Sequence, residues 1–115
     1  MNNCNEFFSE KNANIVIGQS TLPTQEMASL LVDTLLESGL IACGQIEGPI
    51  TSKYTWNGKI NETQEWRVTL KFNKENISQL TKVILQNHPY ENPEWVYWGV
   101  HATKQYFDWV QDPIM

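Results

Sequence analysis

Residues 50–72 read ITSKYTWNGKINETQEWRVTLKF. Asn57-Gly58 is a two-residue pair that tolerates positive φ at both positions, the signature of a type I′ turn, and alternating segments flank it on both sides. On the near arm Ile50, Ser52, Tyr54 and Trp56 share one face. On the far arm Trp66, Val68, Leu70 and Phe72 point one way and Glu65, Arg67, Thr69 and Lys71 the other, the period of two expected of a half-buried strand. Upstream, LIACGQIE extends the near arm, and Gly48-Pro49 interrupts it. Proline cannot donate to a central ladder, so a bulge or kink is expected there. The result is a hairpin longer than a sheet of this size needs.

The elements on either side place this hairpin in a fold. NIVIG (14–18) is a β-branched strand, and STLPT brings a turn at Pro23 and a helix N-cap at Thr24. Met27, Leu30, Leu31, Thr34 and Leu35 recur at helical spacing and predict a helix over about 25–38, with Gly39 as its stop. After the hairpin, Asn73 is a candidate cap for a second helix with the stripe Ile77, Leu80, Val83 and Ile84. Pro89 ends it by forcing its predecessor out of the α region. WVYWGVH (95–101) predicts a last strand and TKQYFDWVQ (103–111) a short helix with Tyr106, Trp109 and Val110 inward. The order β-α-β-β-α-β-α fits an α+β, ferredoxin-like split βαβ sheet with two helices on one face and the other face uncovered. An open face and a projecting hairpin carrying Ile50, Tyr54, Trp56 and Trp66 are features that a partner chain covers.

At 115 residues, 41% of them hydrophobic, the chain supports one core. Residues 1–12 form a polar leader apart from Phe7 and Phe8, and residues 13–115 a single domain. Thirteen acidic against eight basic residues give a net charge of -5, and Arg67 is the sole arginine, so no basic stripe tracks a phosphate backbone and nucleic acid is not an expected partner. Apolar runs such as LLVDTLL fall short of the roughly 20 residues that span a bilayer. No apolar signal segment precedes Cys4, so a cytoplasmic protein with reduced Cys4 and Cys43 is expected.

Candidate chemistry concentrates in QNHPYENPEW (86–95). His88 could cap carbonyls at the end of the second helix, or ligate a metal as a neutral imidazole. Cys43 could be a small buried hydrophobe or a thiolate for soft copper. Glu91 and Glu94 could be solvated loop carboxylates or a hard-cation pair. Lys71 could pair on the surface or supply the cation of an anion pocket. Zinc-type spacings, nucleophile elbows and phosphate-binding glycine loops are missing from the sequence, so no catalytic residues are assigned and no enzyme is expected.

Taken together, GLIACGQI, SKYTWNGKI followed by EWRVTLK, HPYENPE and YFDWV make the chain resemble the CutA family of divalent-cation tolerance proteins, from about Asn14 to Trp109. The resemblance implies a homotrimer of ferredoxin-like subunits whose hairpins pair between chains, similar to the PII signalling proteins. It also implies a role in tolerance of copper and other divalent cations. No tightly bound cofactor is implied, only a weakly held Cu2+ or other divalent ion or a small anionic effector. Position by position, it carries the family's site onto Cys43 and His88 as metal ligands, and onto Trp56, Glu65, Lys71, Tyr90 and Glu91 as the lining of a cleft between subunits. The alternative is a PII-like scaffold trimer that works through protein partners. Gly44-Gln45 and Phe72 depart from the family pattern, which commonly has a small apolar residue, asparagine and threonine there.

Overall fold

The computed structural model describes residues 14–113; the leader and its Cys4, Phe7 and Phe8 lie outside them. Four strands, β1 (Asn14–Leu22), β2 (Cys43–Trp56), β3 (Lys59–Asn73) and β4 (Val96–His101), form one sheet in the order β2-β3-β1-β4, and every neighbouring pair is antiparallel. Helix α1 (Gln25–Glu37) connects β1 to β2, and α2 (Ile77–Asn87) connects β3 to β4. Each helix thus links two parallel strands that have a third strand between them, which is the split βαβ arrangement expected. Helix α3 (Lys104–Gln111) closes the described chain.

At the hairpin tip Asn57 and Gly58 have φ of 53° and 76°, as a type I′ turn requires, and Trp56 pairs with Lys59 across it. The expected bulge is present: Glu47 pairs with Arg67 and Ile50 with Glu65, so Gly48 and Pro49 together face the single residue Trp66. Gly48 is held by that crowding, because a Cβ there would lie 2.7 Å from Trp66 Cγ.

Caps set the helix ends. Thr24 Oγ1 accepts from the Met27 N–H at 3.1 Å. At the other end Gly39 has φ of 77°, its N–H donates to the Leu36 carbonyl, and the Leu40 N–H donates to that of Leu35, a Schellman motif with Leu35 and Leu40 both buried beside it. The buried stripe of α1 is Ala28, Leu31, Val32 and Leu35, rotated by one position from the expected set; Met27 and Leu30 are exposed. Both stripes obey helical spacing, and packing against the sheet and α2 selects between them. Gly44 leaves room for Val32, whose Cγ1 would be 2.6 Å from any Cβ at that position. Phe72 is fully buried and stacks on Trp95, with ring centroids 6.2 Å apart. Two departures from the family pattern are therefore core packing choices.

Asn73 caps a 3-10 turn (Lys74–Asn76) that leads into α2, its Oδ1 accepting from the Glu75 N–H at 3.0 Å. The core lies between α1, α2 and the sheet face that carries Val16, Leu22, Val68, Leu70 and Phe72. The opposite face is not bare, in contrast to the expectation. Lys71 Nζ sits 5.9 Å from the centroid of the Tyr106 ring, so α3 lies against that side, where Ile15 and Val110 are also buried. Trp109, expected inward, is 39% exposed, because eight residues of helix can turn only a narrow stripe to the sheet. Among the described residues no helix is long and apolar enough to cross a membrane.

Candidate functional site

The hairpin does not lie flat on the core. Its projecting half and the loop after α2 enclose an open groove of about 1090 Å3, to which β2 contributes Tyr54 and Trp56, β3 contributes Glu65, and the loop contributes Tyr90, Glu91 and Glu94. Alternation and register explain the first three. Tyr54 and Trp56 share a face, and Ile50 on that face pairs with Glu65, so the aromatic rings and the carboxylate project to the same side.

The loop is positioned from beneath by His88. Pro89 holds His88 in extended backbone (φ -84°, ψ 136°), which makes it the C-cap of α2. Instead of bonding a helix carbonyl, its ring crosses to β1. Nε2–H donates to the Thr21 carbonyl at 2.8 Å, and Nδ1 accepts from the Tyr90 N–H at 3.2 Å. That pairing needs the neutral tautomer protonated on Nε2. Burial is the main influence on this ring and pulls its pKa below 6.5; the Thr21 bond and the nearby Glu65 charge oppose it.

Tyr90 continues the chain of contacts. Its ring packs on His88 with centroids 4.9 Å apart, and its hydroxyl donates to Glu65 Oε2 at 2.8 Å. Burial, and then the Glu65 carboxylate, push the Tyr90 ionisation above the ordinary phenol value, so the hydroxyl is a donor throughout the neutral range. Glu65 itself is only 8% exposed. Thr21, His88, Tyr90 and Glu65 thus form one hydrogen-bonded relay from β1 to β3 that clamps the loop against the hairpin root. At the far end of the loop Trp95 Nε1–H donates to Thr81 Oγ1 at 2.8 Å, tying it to α2.

The residues singled out from the sequence fall into two groups. Trp56, Glu65, Tyr90 and Glu91 line the groove, and His88 supports it from below. Cys43 and Lys71 are cross-strand neighbours elsewhere. Thr21, whose carbonyl holds His88, pairs with Arg67, four residues along β3 from Lys71, a separation of about 13 Å at the rise of an antiparallel strand. Cys43 is half-buried, and Lys71 is turned toward the Tyr106 ring. Among the described residues no group of three His, Cys, Asp or Glu side chains is close enough to hold a metal ion.

Two contributors are not among the site residues read from the sequence. Tyr54 lines the groove, and its alternation with Trp56 was the signal that could have identified it. Thr21 acts through its backbone carbonyl, for which no side-chain motif exists.

Comparison with known proteins agrees with this architecture. Residues 16–113 match the family described as CutA1 divalent ion tolerance protein. A divalent-cation tolerance protein CutA of Thermus thermophilus is 31% identical over 93 residues, spanning 80% of this chain and 90% of that protein. The crystal structure of the divalent ion tolerance protein CutA1 of Ehrlichia chaffeensis superposes with a TM-score of 0.82 at 33% identity, covering 85% of this chain and 92% of that one. A protein of Archaeoglobus fulgidus named periplasmic divalent cation tolerance protein CutA gives 0.80 at 28% identity, with 84% and 94% covered.

Proposed function

Because this chain belongs to the family of CutA1 divalent ion tolerance proteins, we propose that it supports divalent-cation tolerance as a homotrimer whose subunit clefts hold copper, another divalent ion or a small effector. The observation that carries this reading is the relay Thr21–His88–Tyr90–Glu65. It gives up hydrogen-bonding groups to hold one loop rigid beside a groove, a use of polar side chains that suits a preorganised binding wall. The shape supports assembly. The subunit is 53 Å long, and its hairpin presents Tyr54, Trp56 and Ile60 to solvent, the last 84% exposed, as apolar surface for a partner copy to cover.

In this reading Trp56, Glu65, Tyr90 and Glu91 line the cleft. Cys43 and Lys71 reach a ligand only if a neighbouring subunit brings its own copies to the groove. His88 can serve as a metal ligand only by giving up one of its two present partners. The protein performs no catalysis and acts in the cytoplasm, whereas the Archaeoglobus relative is named as periplasmic.

Three measurements test the proposal. Light scattering should report a trimer of the 13.3 kDa chain at micromolar concentration; a monomer would end the cleft model. Calorimetry with Cu2+ and Zn2+ on the wild type and His88→Ala should give different isotherms, and identical ones would remove His88 from the ligand set. A host strain lacking the protein should lose growth in elevated copper and regain it on complementation. Unchanged growth, together with a stoichiometric protein partner captured independently of chelator, would favour the scaffold alternative.

A further inference from the structure

We infer that His88 serves the cleft by positioning it and not as a metal ligand. Its ring fixes the loop after α2 between the Thr21 carbonyl and the Tyr90 N–H, and through Tyr90 it sets where the Glu65 carboxylate stands. This role rests on the reading of the groove as a subunit cleft and deepens it, because it takes the imidazole out of the set of groups that hold an ion there.

Both ring nitrogens are engaged within the chain. A backbone N–H can only donate, so Nδ1 is the acceptor in its contact with Tyr90 at 3.2 Å, and Nε2 carries the proton that goes to the Thr21 carbonyl at 2.8 Å. A metal-bound histidine commonly donates its second ring N–H to a carbonyl, and the Thr21 bond alone would fit that pattern. Nδ1 does not fit it. The lone pair that an ion would need is taken from within the loop, and the Tyr90 ring lies on the imidazole with centroids 4.9 Å apart. Ligation at Nδ1 would orphan the Tyr90 N–H, and ligation at Nε2 would orphan the Thr21 carbonyl; a polar group left so inside a protein is costly.

The surroundings lead the same way. Among the described residues no three His, Cys, Asp or Glu side chains are close enough to share an ion, and Cys43 lies beside Lys71 elsewhere on the sheet. A neighbouring subunit adds ligands only from outside, whereas His88 is 9% exposed in the single chain. Assembly can bury the ring further and frees neither nitrogen. What the ring does is directional. It stands at the end of α2, where its backbone is extended before Pro89, and it ties residue 90 to the end of β1. The Tyr90 hydroxyl then reaches Glu65 Oε2 at 2.8 Å, so the place of a buried carboxylate is referred back to β1 through an uncharged ring. A side chain with this role can be replaced by one that offers the same donor and acceptor, as glutamine does and alanine does not.

The test uses the full-length protein with isotope-labelled histidine; His88 and His101 are its two histidines, so each ring can be followed separately. Long-range proton–nitrogen correlation spectra should show the His88 ring as the neutral tautomer protonated on Nε2, with both nitrogens unmoved by an excess of ZnCl2. Amide hydrogen exchange at Tyr90 should be about tenfold faster in His88→Ala and return to within about threefold of wild type in His88→Gln, the factors expected for one net hydrogen bond lost and regained. A zinc-induced shift of either His88 nitrogen, an unprotected Tyr90 amide in the wild type, or a glutamine variant no better than alanine would each overturn the role. Calorimetry with CuCl2 separates this role from the broader proposal. Copper binding kept in His88→Gln and weakened in His88→Ala supports both. Copper binding lost equally in the two variants overturns the positioning role. No copper binding to any of the three proteins, with Tyr90 rescued by glutamine, removes the metal and leaves the positioning role standing.

Discussion

The bond from Tyr90 to Glu65 is the most exposed point of the relay to a single-atom test. Tyr90→Phe deletes the hydroxyl and leaves the ring packed on His88, so the substitution changes one hydrogen bond and little volume. A hydrogen bond to a charged group contributes about 1.5–3 kcal/mol net, and its removal leaves a carboxylate that is 8% exposed without its donor. The expected cost is therefore ~2 kcal/mol. In a Glu65→Gln background the same hydroxyl bonds to a neutral amide, whose contribution is about 0.5–1.5 kcal/mol, so Tyr90→Phe should cost ~1 kcal/mol there. The difference, a coupling of about 1 kcal/mol, is what a double-mutant cycle isolates. The assay is guanidinium unfolding of the four proteins at one protein concentration, since apparent stability depends on concentration for the proposed trimer. A cost for Tyr90→Phe below about 0.5 kcal/mol, or an equal cost in both backgrounds, would refute the claim that this bond clamps the loop to the hairpin root.

Other consequences follow from packing and titration. The His88 ring has its pKa held below 6.5 in the fold, so the unfolded chain binds its proton first. Stability should be fully present above pH 6.5 and fall as pH drops from there through the folded pKa, and His88→Gln should flatten that part of the stability–pH curve. Gly18→Ala would place a Cβ 2.7 Å from Trp95 Cζ3 and 3.1 Å from Phe72 Cε1; an overpacking cost of about 1–3 kcal/mol and altered tryptophan fluorescence are expected. Thr24→Ala removes the α1 N-cap and should cost ~1 kcal/mol with the groove intact, measured by unfolding and by unchanged ligand titration.

Legibility in the sequence followed the range of the interaction. Local rules identified the Asn57-Gly58 turn, the Gly48-Pro49 bulge, the Thr24 and Asn73 caps and the Pro89 stop, because each depends on φ restrictions or hydrogen bonds within a few residues. The stripe of α1 was harder to read. Apolar residues at 27, 28, 30, 31, 32 and 35 satisfy two registers, and packing against the sheet and α2, with Val32 fitted over Gly44, selects the buried one.

For the site, the sequence by itself determined that an aromatic hairpin and a proline-stiffened His-Tyr-Glu loop exist, and its order of elements determined the ferredoxin-like sheet. The tertiary structure decided what those residues do. It turned the His88 ring toward the Thr21 carbonyl and set Tyr90 on Glu65, 25 residues away in the chain. It also separated Cys43 and Lys71 from the groove along the length of β3. The physical reason is that side-chain spacing specifies which face a residue occupies, whereas strand register and the path of the loop specify which faces meet, and those depend on burial summed over the whole sheet.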